Sequence, residues 1–148
     1  MSRSGYSDDL ENWQMIKWRG MVASAIRGKR GQKLLRDTLA ALDAMPDKRL
    51  IRHELEADGE VCTLGALGKA RGIDMRELDP EEPESVAAAF DIAPCLAQEI
   101  VYMNDEYFDV YFEVNQRFDI TPEQRWTKMR AWVAGKLLVS DSAEKERG

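Results

Sequence analysis

The sequence predicts a compact, mainly helical single domain of five or six helices, and three observations carry that expectation. Apolar residues recur every three or four positions through most of the chain. Helix start and stop signals punctuate the pattern, the clearest being Thr121-Pro122-Glu123-Gln124. The 148 residues are 44% hydrophobic and 32% charged, a globular composition with enough chain to bury a core. Residues 1–139 are expected to form the domain and residues 140–148 a flexible polar tail.

The first helix is expected from about Asp8 to Arg27. Ser7 supplies a cap, and Asp8 and Asp9 suit the positive helix end. Trp13, Ile16, Gly20 and Ala23 read as its core stripe, widened by Val22, Ala25 and Ile26. Gly20 inside that stripe reads as a point of close helix packing. Gly28 is a natural stop. A second helix is expected from Gly31 to Ala44, with Leu34, Leu35, Thr38, Leu39 and Leu42 inward and Pro46 ending it. The short link makes the two an antiparallel hairpin.

Residues 50–63 admit one small β-hairpin around the Asp58-Gly59 turn. The run Leu64-Gly65-Ala66-Leu67-Gly68 reads as a tightly packed short helix stopped by Gly72, with glycines that let another element approach. An acidic loop, Asp79 to Pro83, leads to a helix at Glu84 to Phe90. After the Asp91-Ile92 turn, Leu96, Ile100, Met103, Tyr107, Tyr111 and Val114 form a stripe that could run unbroken from Ala93 to Asn115. A two-strand reading of Tyr107 to Phe118 is the weaker alternative. Trp126, Met129, Trp132 or Val133, and Leu137 then give the final helix.

Charge is split along the chain. Residues 1–53 carry +5 and residues 54–148 carry −11, which together make the net −6. The densest positive stretch is the basic loop 27–36, with Arg27, Lys29, Arg30, Lys33 and Arg36. Guanidinium and ammonium groups there suit a phosphate or a protein carboxylate. Trp18 and Arg19, two turns earlier, extend the patch with a stacking surface. A second candidate is the acidic aromatic face from Asp105 to Phe112, with Tyr107, Phe108, Tyr111 and Phe112 among carboxylates. Such a face suits a protein interface.

Residues 86–100 have the outline of a helix-turn-helix, with Ala87, Ile92 and Ile100 in the packing positions. No Lys or Arg lies between Arg76 and Arg117, so this outline reads as a structural corner. Cys62 and Cys95 form no CxxC and His53 is the single histidine, so a zinc site lacks ligands. The two cysteines and the lack of a leader peptide read as a cytosolic chain with reduced thiols. His53 reads as a surface residue. The pairs Asp8/Asp9, Glu81/Glu82 and Asp105/Glu106 read as solvated charge. No nucleophile elbow, Walker loop or histidine pair is present, so no catalytic residue, cofactor or metal is expected. No apolar run is long enough to span a bilayer.

Two stretches carry a resemblance. One is Ser2-Arg3-Ser4-Gly5-Tyr6-Ser7-Asp8-Asp9 with Trp18-Arg19-Gly20 and Ile26-Arg27-Gly28-Lys29-Arg30-Gly31-Gln32. The other is Glu54-Leu55-Glu56-Ala57-Asp58-Gly59-Glu60-Val61-Cys62 with Gly68-Lys69-Ala70-Arg71-Gly72-Ile73-Asp74. With Asn104-Asp105-Glu106 and the run from Thr121 to Trp132, they resemble a group of short phage- and prophage-encoded proteins that carries no assigned activity. The resemblance covers most of the chain. It implies a shorter link in relatives where this chain has Tyr107 to Phe118. It also implies an accessory protein in the bacterial cytoplasm that binds a host or phage protein, with inhibition of a host defence factor among the roles. Nucleic-acid binding through the basic loop is the alternative.

Overall fold

Gly28 is the entire connection between the first two helices. The computed structural model describes residues 12–138 except 109, 113–115 and 119, with backbone alone at 12, 110–112 and 116–118. The expected cap at Ser7 and the tail from Ser140 lie outside the described residues. Helix α1 spans Asn12–Arg27 and α2 spans Lys29–Ala44. The strands β1 (Glu56–Ala57) and β2 (Glu60–Val61) precede α3 (Thr63–Arg71). A 3-10 turn at Met75–Glu77 leads to α4 (Pro83–Phe90) and α5 (Pro94–Tyr102). A π-helical turn, Met103–Tyr107, extends α5, and β3 (Val110–Phe112), β4 (Gln116–Phe118) and α6 (Pro122–Gly135) complete the chain. The fold is mainly helical, with six α-helices among the described residues, as the apolar periodicity predicts.

Gly28 has extended backbone angles and caps α2, which therefore starts two residues earlier than its pattern suggests. Gly31 is the glycine that matters for packing. A Cβ there would lie 2.0 Å from the Ala25 carbonyl oxygen, so α2 can press against the last turn of α1 only without a side chain. Gly65 plays the same part in α3, where a Cβ would fall 1.9 Å from the Leu55 carbonyl oxygen. These contacts bear out the expectation that other elements approach that short helix closely. Gly72 ends α3 with φ 72°, the left-handed cap that glycine favours.

The hairpin forms where the Asp58-Gly59 pair predicts it, with Glu56 opposite Val61 and Ala57 opposite Glu60. Both turn residues take positive φ, which closes a tight two-residue loop. The Ile51 N–H donates to the Val61 carbonyl at 2.9 Å, so the preceding segment also lies along β2. The capping box at α6 is present, with Gln124 N donating to Thr121 Oγ1 at 3.1 Å and Thr121 N to Gln124 Oε1 at 2.9 Å.

One core runs through all six helices. Leu34, Leu35 and Leu42 of α2 meet Leu64 and Leu67 of α3, Val86 and Phe90 of α4, Leu96 and Ile100 of α5, and Met129 and Val133 of α6. The C-terminus of α2 is held by two neighbours. Lys48 Nζ donates to the carbonyls of Asp43 at 2.5 Å and Met45 at 2.6 Å, and Trp126 Nε1 donates to that of Leu42 at 3.2 Å. These satisfy carbonyls that a helix end leaves without helical partners.

Two elements differ from expectation. The helix from Ala93 does not continue to Asn115: it stops at Tyr102, passes through the π turn and gives way to the antiparallel pair β3 and β4. The side chain of Asn104 and its carbonyl both bond to other elements there, which ends the regular ladder. In α1 the expected face divides, its N-terminal members exposed, Ala23 half-buried and the widening residues turned toward the core. Trp13, Ile16 and Gly20 are exposed, while Val22 and Ile26 are buried and Trp18 and Ala25 are half-buried. A Cβ at Gly20 would meet nothing within 4 Å, so that glycine does not mark close packing within the chain.

These contrasts give a stability test. Gly65→Ala is expected to cost about 3 kcal/mol, because the new methyl collides with backbone rather than with a movable side chain. Gly20→Ala is expected to add about 1 kcal/mol through helix propensity. Urea unfolding at low protein concentration reads both.

Candidate functional site

The basic stretch divides into a structural centre and an exposed rim. Gly31 and Gln32 are buried. The Gln32 amide donates to the carbonyls of Ile26 at 2.7 Å and Lys136 at 3.0 Å and accepts the Leu138 N–H at 2.9 Å. It thereby ties the ends of α1 and α6 to the start of α2. Arg30 pairs with Asp91 at 3.2 Å, and Lys33 with Asp37 at 3.1 Å. Asp37 also accepts from Arg71 at 2.8 Å, and Arg71 reaches on to the Phe90 carbonyl at 3.1 Å. The Arg71 hydrogen bond, against the opposing effect of burial and helped by Lys33, holds the Asp37 carboxyl below its ordinary value. Arg27, Lys29 and Arg36 are exposed and form no ion pair with a described residue. Lys29, Lys33 and Arg36 follow spacings of four and three, so they share the outer face of α2.

Trp18 and Arg19 do not extend that patch. Trp18 packs on the core. Arg19 forks onto Glu99 of α5, with Nη1 to Oε2 at 2.9 Å and Nη2 to Oε1 at 2.8 Å. Glu99 is 5% exposed, and a carboxylate that deep needs a cation beside it. This fork joins α1 to α5 beside the core contacts of Val22 and Ile26.

The helix-turn-helix outline is a real corner, since α4 and the α5–π segment bend by 104°. Its second helix buries Cys95, Leu96, Ala97, Glu99, Ile100 and Val101, which leaves no side to enter a groove. No single described helix is long and apolar enough to cross a membrane.

The acidic aromatic face separates into a buried knot and an exposed corner. Asp105 is not solvated charge: it is 1% exposed. Its Oδ1 accepts the His53 N–H at 3.2 Å and Asn104 Nδ2 at 2.8 Å, and its Oδ2 lies 3.9 Å from His53 Nδ1. His53 holds a left-handed φ of 73° to make that contact. Asn104 Oδ1 accepts Thr63 N at 3.1 Å and Thr63 Oγ1 at 2.8 Å, and Nδ2 donates to the Ile51 carbonyl at 3.0 Å. Arg125 of α6, 3% exposed, donates to the Asn104 carbonyl.

The corner lies at the end of the same π turn. Tyr107 is 57% exposed and meets Tyr102 edge-on at 6.1 Å and Phe108 at 5.1 Å between ring centroids. Phe108 is half-buried, with Lys128 Nζ 5.6 Å from its centroid. Burial, then the neighbouring Glu106 and Glu99, push the Tyr102 hydroxyl up. Tyr111 lies in β3 opposite Arg117, and Phe112 opposite Gln116. Nothing is described of those side chains.

Sequence reasoning passed over Asn104, Arg125 and Thr63 and took Asp105 for surface. A signal was present. Asn104 falls four residues after Ile100, and Arg125 four before Met129, so both polar residues stand at core positions of apolar stripes. For catalysis, the described residues gather no group of three or more His, Cys, Asp or Glu able to hold a metal. Cys62 caps α3, its Sγ accepting the Gly65 N–H at 3.3 Å. Burial pushes the Cys95 thiol up, away from the reactive thiolate. Comparison with protein-family models, curated proteins and solved structures finds no match to this chain.

Two measurements check these electrostatics. A double-mutant cycle with Arg19→Met and Glu99→Gln is expected to give a coupling of about 1–2 kcal/mol, below the fully buried range because Arg19 is half exposed. For Asp37, a depressed folded-state pKa means stability that is present above the ordinary 3.8 and lost as pH falls through the folded value. Asp37→Asn is therefore expected to flatten the acid arm of the stability curve below about pH 4, and an unchanged arm would show that the Arg71 contact is not formed.

Proposed function

We propose that this is a non-enzymatic binding protein, acting on a host or phage protein in the bacterial cytoplasm, with a host defence factor among the targets. The observation that supports this reading is the exposed aromatic corner. Tyr107 stands out from the surface yet is braced edge-on by Tyr102 and Phe108, at the end of a turn whose backbone is locked by Asn104 and Arg125. A large aromatic side chain held in advance of binding loses little entropy on contact, which is the physics of an interface anchor. Glu106 beside it favours a partner with an apolar pocket rimmed by cations. The phage context rests on the resemblance of the sequence stretches alone.

Pull-down from bacterial lysate, repeated after nuclease treatment, tests the reading. Tyr107→Ala is expected to reduce the retained protein severalfold while moving stability by less than about 0.5 kcal/mol, as for an exposed side chain. Phe108→Ala is expected to cost more stability, since that ring packs on the core. Retention unaffected by Tyr107→Ala would remove the corner from the binding surface.

A second reading uses Arg27, Lys29 and Arg36 as a phosphate-binding rim on α2. Three phosphate contacts would give a slope of log affinity against log salt near −2.7. The net charge of −6 opposes a polyanion, so duplex DNA at physiological salt is expected to bind weakly or not at all. Tight, salt-steep binding abolished by Lys29→Ala would reverse the order of the two readings.

A further inference from the structure

The corner between α4 and α5 carries a small apolar notch. Val86, Ala97 and Val101 line it, each 5% exposed or less, with Pro80, Pro83 and Gln98 around them. The space within it, its open mouth included, is about 180 Å³, the scale of one side chain. Gln98 is the one lining residue with a polar side chain. A charged group entering the notch would lose hydration without a matching partner, whereas an aliphatic group gains by burial. The loop side of the notch is set in advance. Proline fixes its own φ. Asp79 closes the loop, its side chain accepting the Glu81 N–H at 2.9 Å and its carbonyl the Glu82 N–H at 3.0 Å.

The same loop is acidic. Glu77, Asp79, Glu81, Glu82 and Glu84 are exposed and form no ion pair with a described residue. The nearest cation in sequence, Arg76, forks onto Asp74 at 3.0 and 3.2 Å, and no Lys or Arg follows it until Arg117. Glu82 and Glu84 suit the positive end of α4, and Asp79 shapes the loop. Glu77 and Glu81 lie outside the helix and pair with no described cation. Glu81 and Glu82 stand between the two prolines that line the notch.

We propose that this notch docks a protein segment presenting one aliphatic side chain between basic residues. The aliphatic group fills the notch, and the flanking cations meet the carboxylates of residues 77–84. The two features select together. An acidic segment is repelled by the rim, and a basic segment without the aliphatic residue leaves the notch unfilled. One buried side chain and a few exposed charge pairs make a weak, reversible contact. The site uses no residue of the Tyr107 corner and stands or falls apart from it.

Titration of the full chain with a peptide, followed in amide NMR spectra, tests the assignment. The probe is a capped pentapeptide with one leucine between two pairs of arginines. Saturable shifts are expected at the amides of Val86, Ala97, Gln98 and Val101, with a dissociation constant of about 1 mM at low salt. Replacing the leucine of the peptide by glycine is expected to weaken binding about tenfold. Glu81→Gln with Glu82→Gln is expected to weaken it severalfold without lowering the melting temperature, since both side chains are exposed. Equal binding of the leucine and glycine peptides would reduce the site to charge attraction and overturn the proposal. Silence of the four amides up to about 10 mM peptide would overturn it too. Shifts of the same amides with protein concentration alone would give the notch to a second copy, and the proposal would fall.

Discussion

The fold depends on one buried amide. Asn104 uses both donors and both acceptor positions of its side chain, bonding the Thr63 N–H and hydroxyl, the Ile51 carbonyl and the Asp105 carboxylate. Its own carbonyl takes the buried Arg125. Through these bonds one residue fixes the start of α3, the segment before the hairpin, the end of α5 and the first turn of α6. Asp105 extends the knot to His53, whose left-handed backbone is held by that contact. Polar groups this deep are costly unless fully matched, and a fully matched network selects a single arrangement.

A second buried amide works at the other end of the molecule. Gln32 gathers the terminal carbonyls of α1 and α6 and the N–H of Leu138. The two amides together explain why the surface charge, though plentiful, organises little. Exposed pairs such as Arg30–Asp91 contribute a few tenths of a kcal/mol at most. The exposed aromatic corner adjoins the knot: the π turn that carries Asn104 ends at the exposed Tyr107. An insertion of one extra residue per turn is a common way for a helix to present a side chain it would otherwise bury.

Much of this was legible in the residues. The helices, the Asp58-Gly59 hairpin and the Thr121 capping box follow from local rules of periodicity and capping, which act within a few residues of chain. The tight approach at Gly65 was legible for the same reason. The orientation of α1 was not, because apolar residues lie on several sides of it and its partners, Glu99 among them, are distant in sequence. The end of α5 was missed because Tyr107 and Tyr111 continue its stripe, while the cause of the break lies in Thr63 and Arg125, 41 and 21 residues away. The basic loop drew attention through its charge, yet its buried members are Gly31 and Gln32. Of the candidate binding residues, Arg19, Arg30 and Lys33 are in ion pairs, Trp18 is half-buried against the core, and Arg27, Lys29, Arg36 and Tyr107 are exposed without an ion pair to a described residue.

The claim that Asn104 holds these elements together is tested most directly by equilibrium urea unfolding of Asn104→Ala. The substitution strands the Thr63 N–H and hydroxyl and the Ile51 carbonyl in the interior, and each unmatched group costs about 1–3 kcal/mol. The account expects a loss of about 3 kcal/mol or more, with Thr63→Val giving a smaller loss of the same origin. A loss below about 1 kcal/mol for Asn104→Ala would contradict it, and would show that apolar packing alone sets the arrangement of the helices.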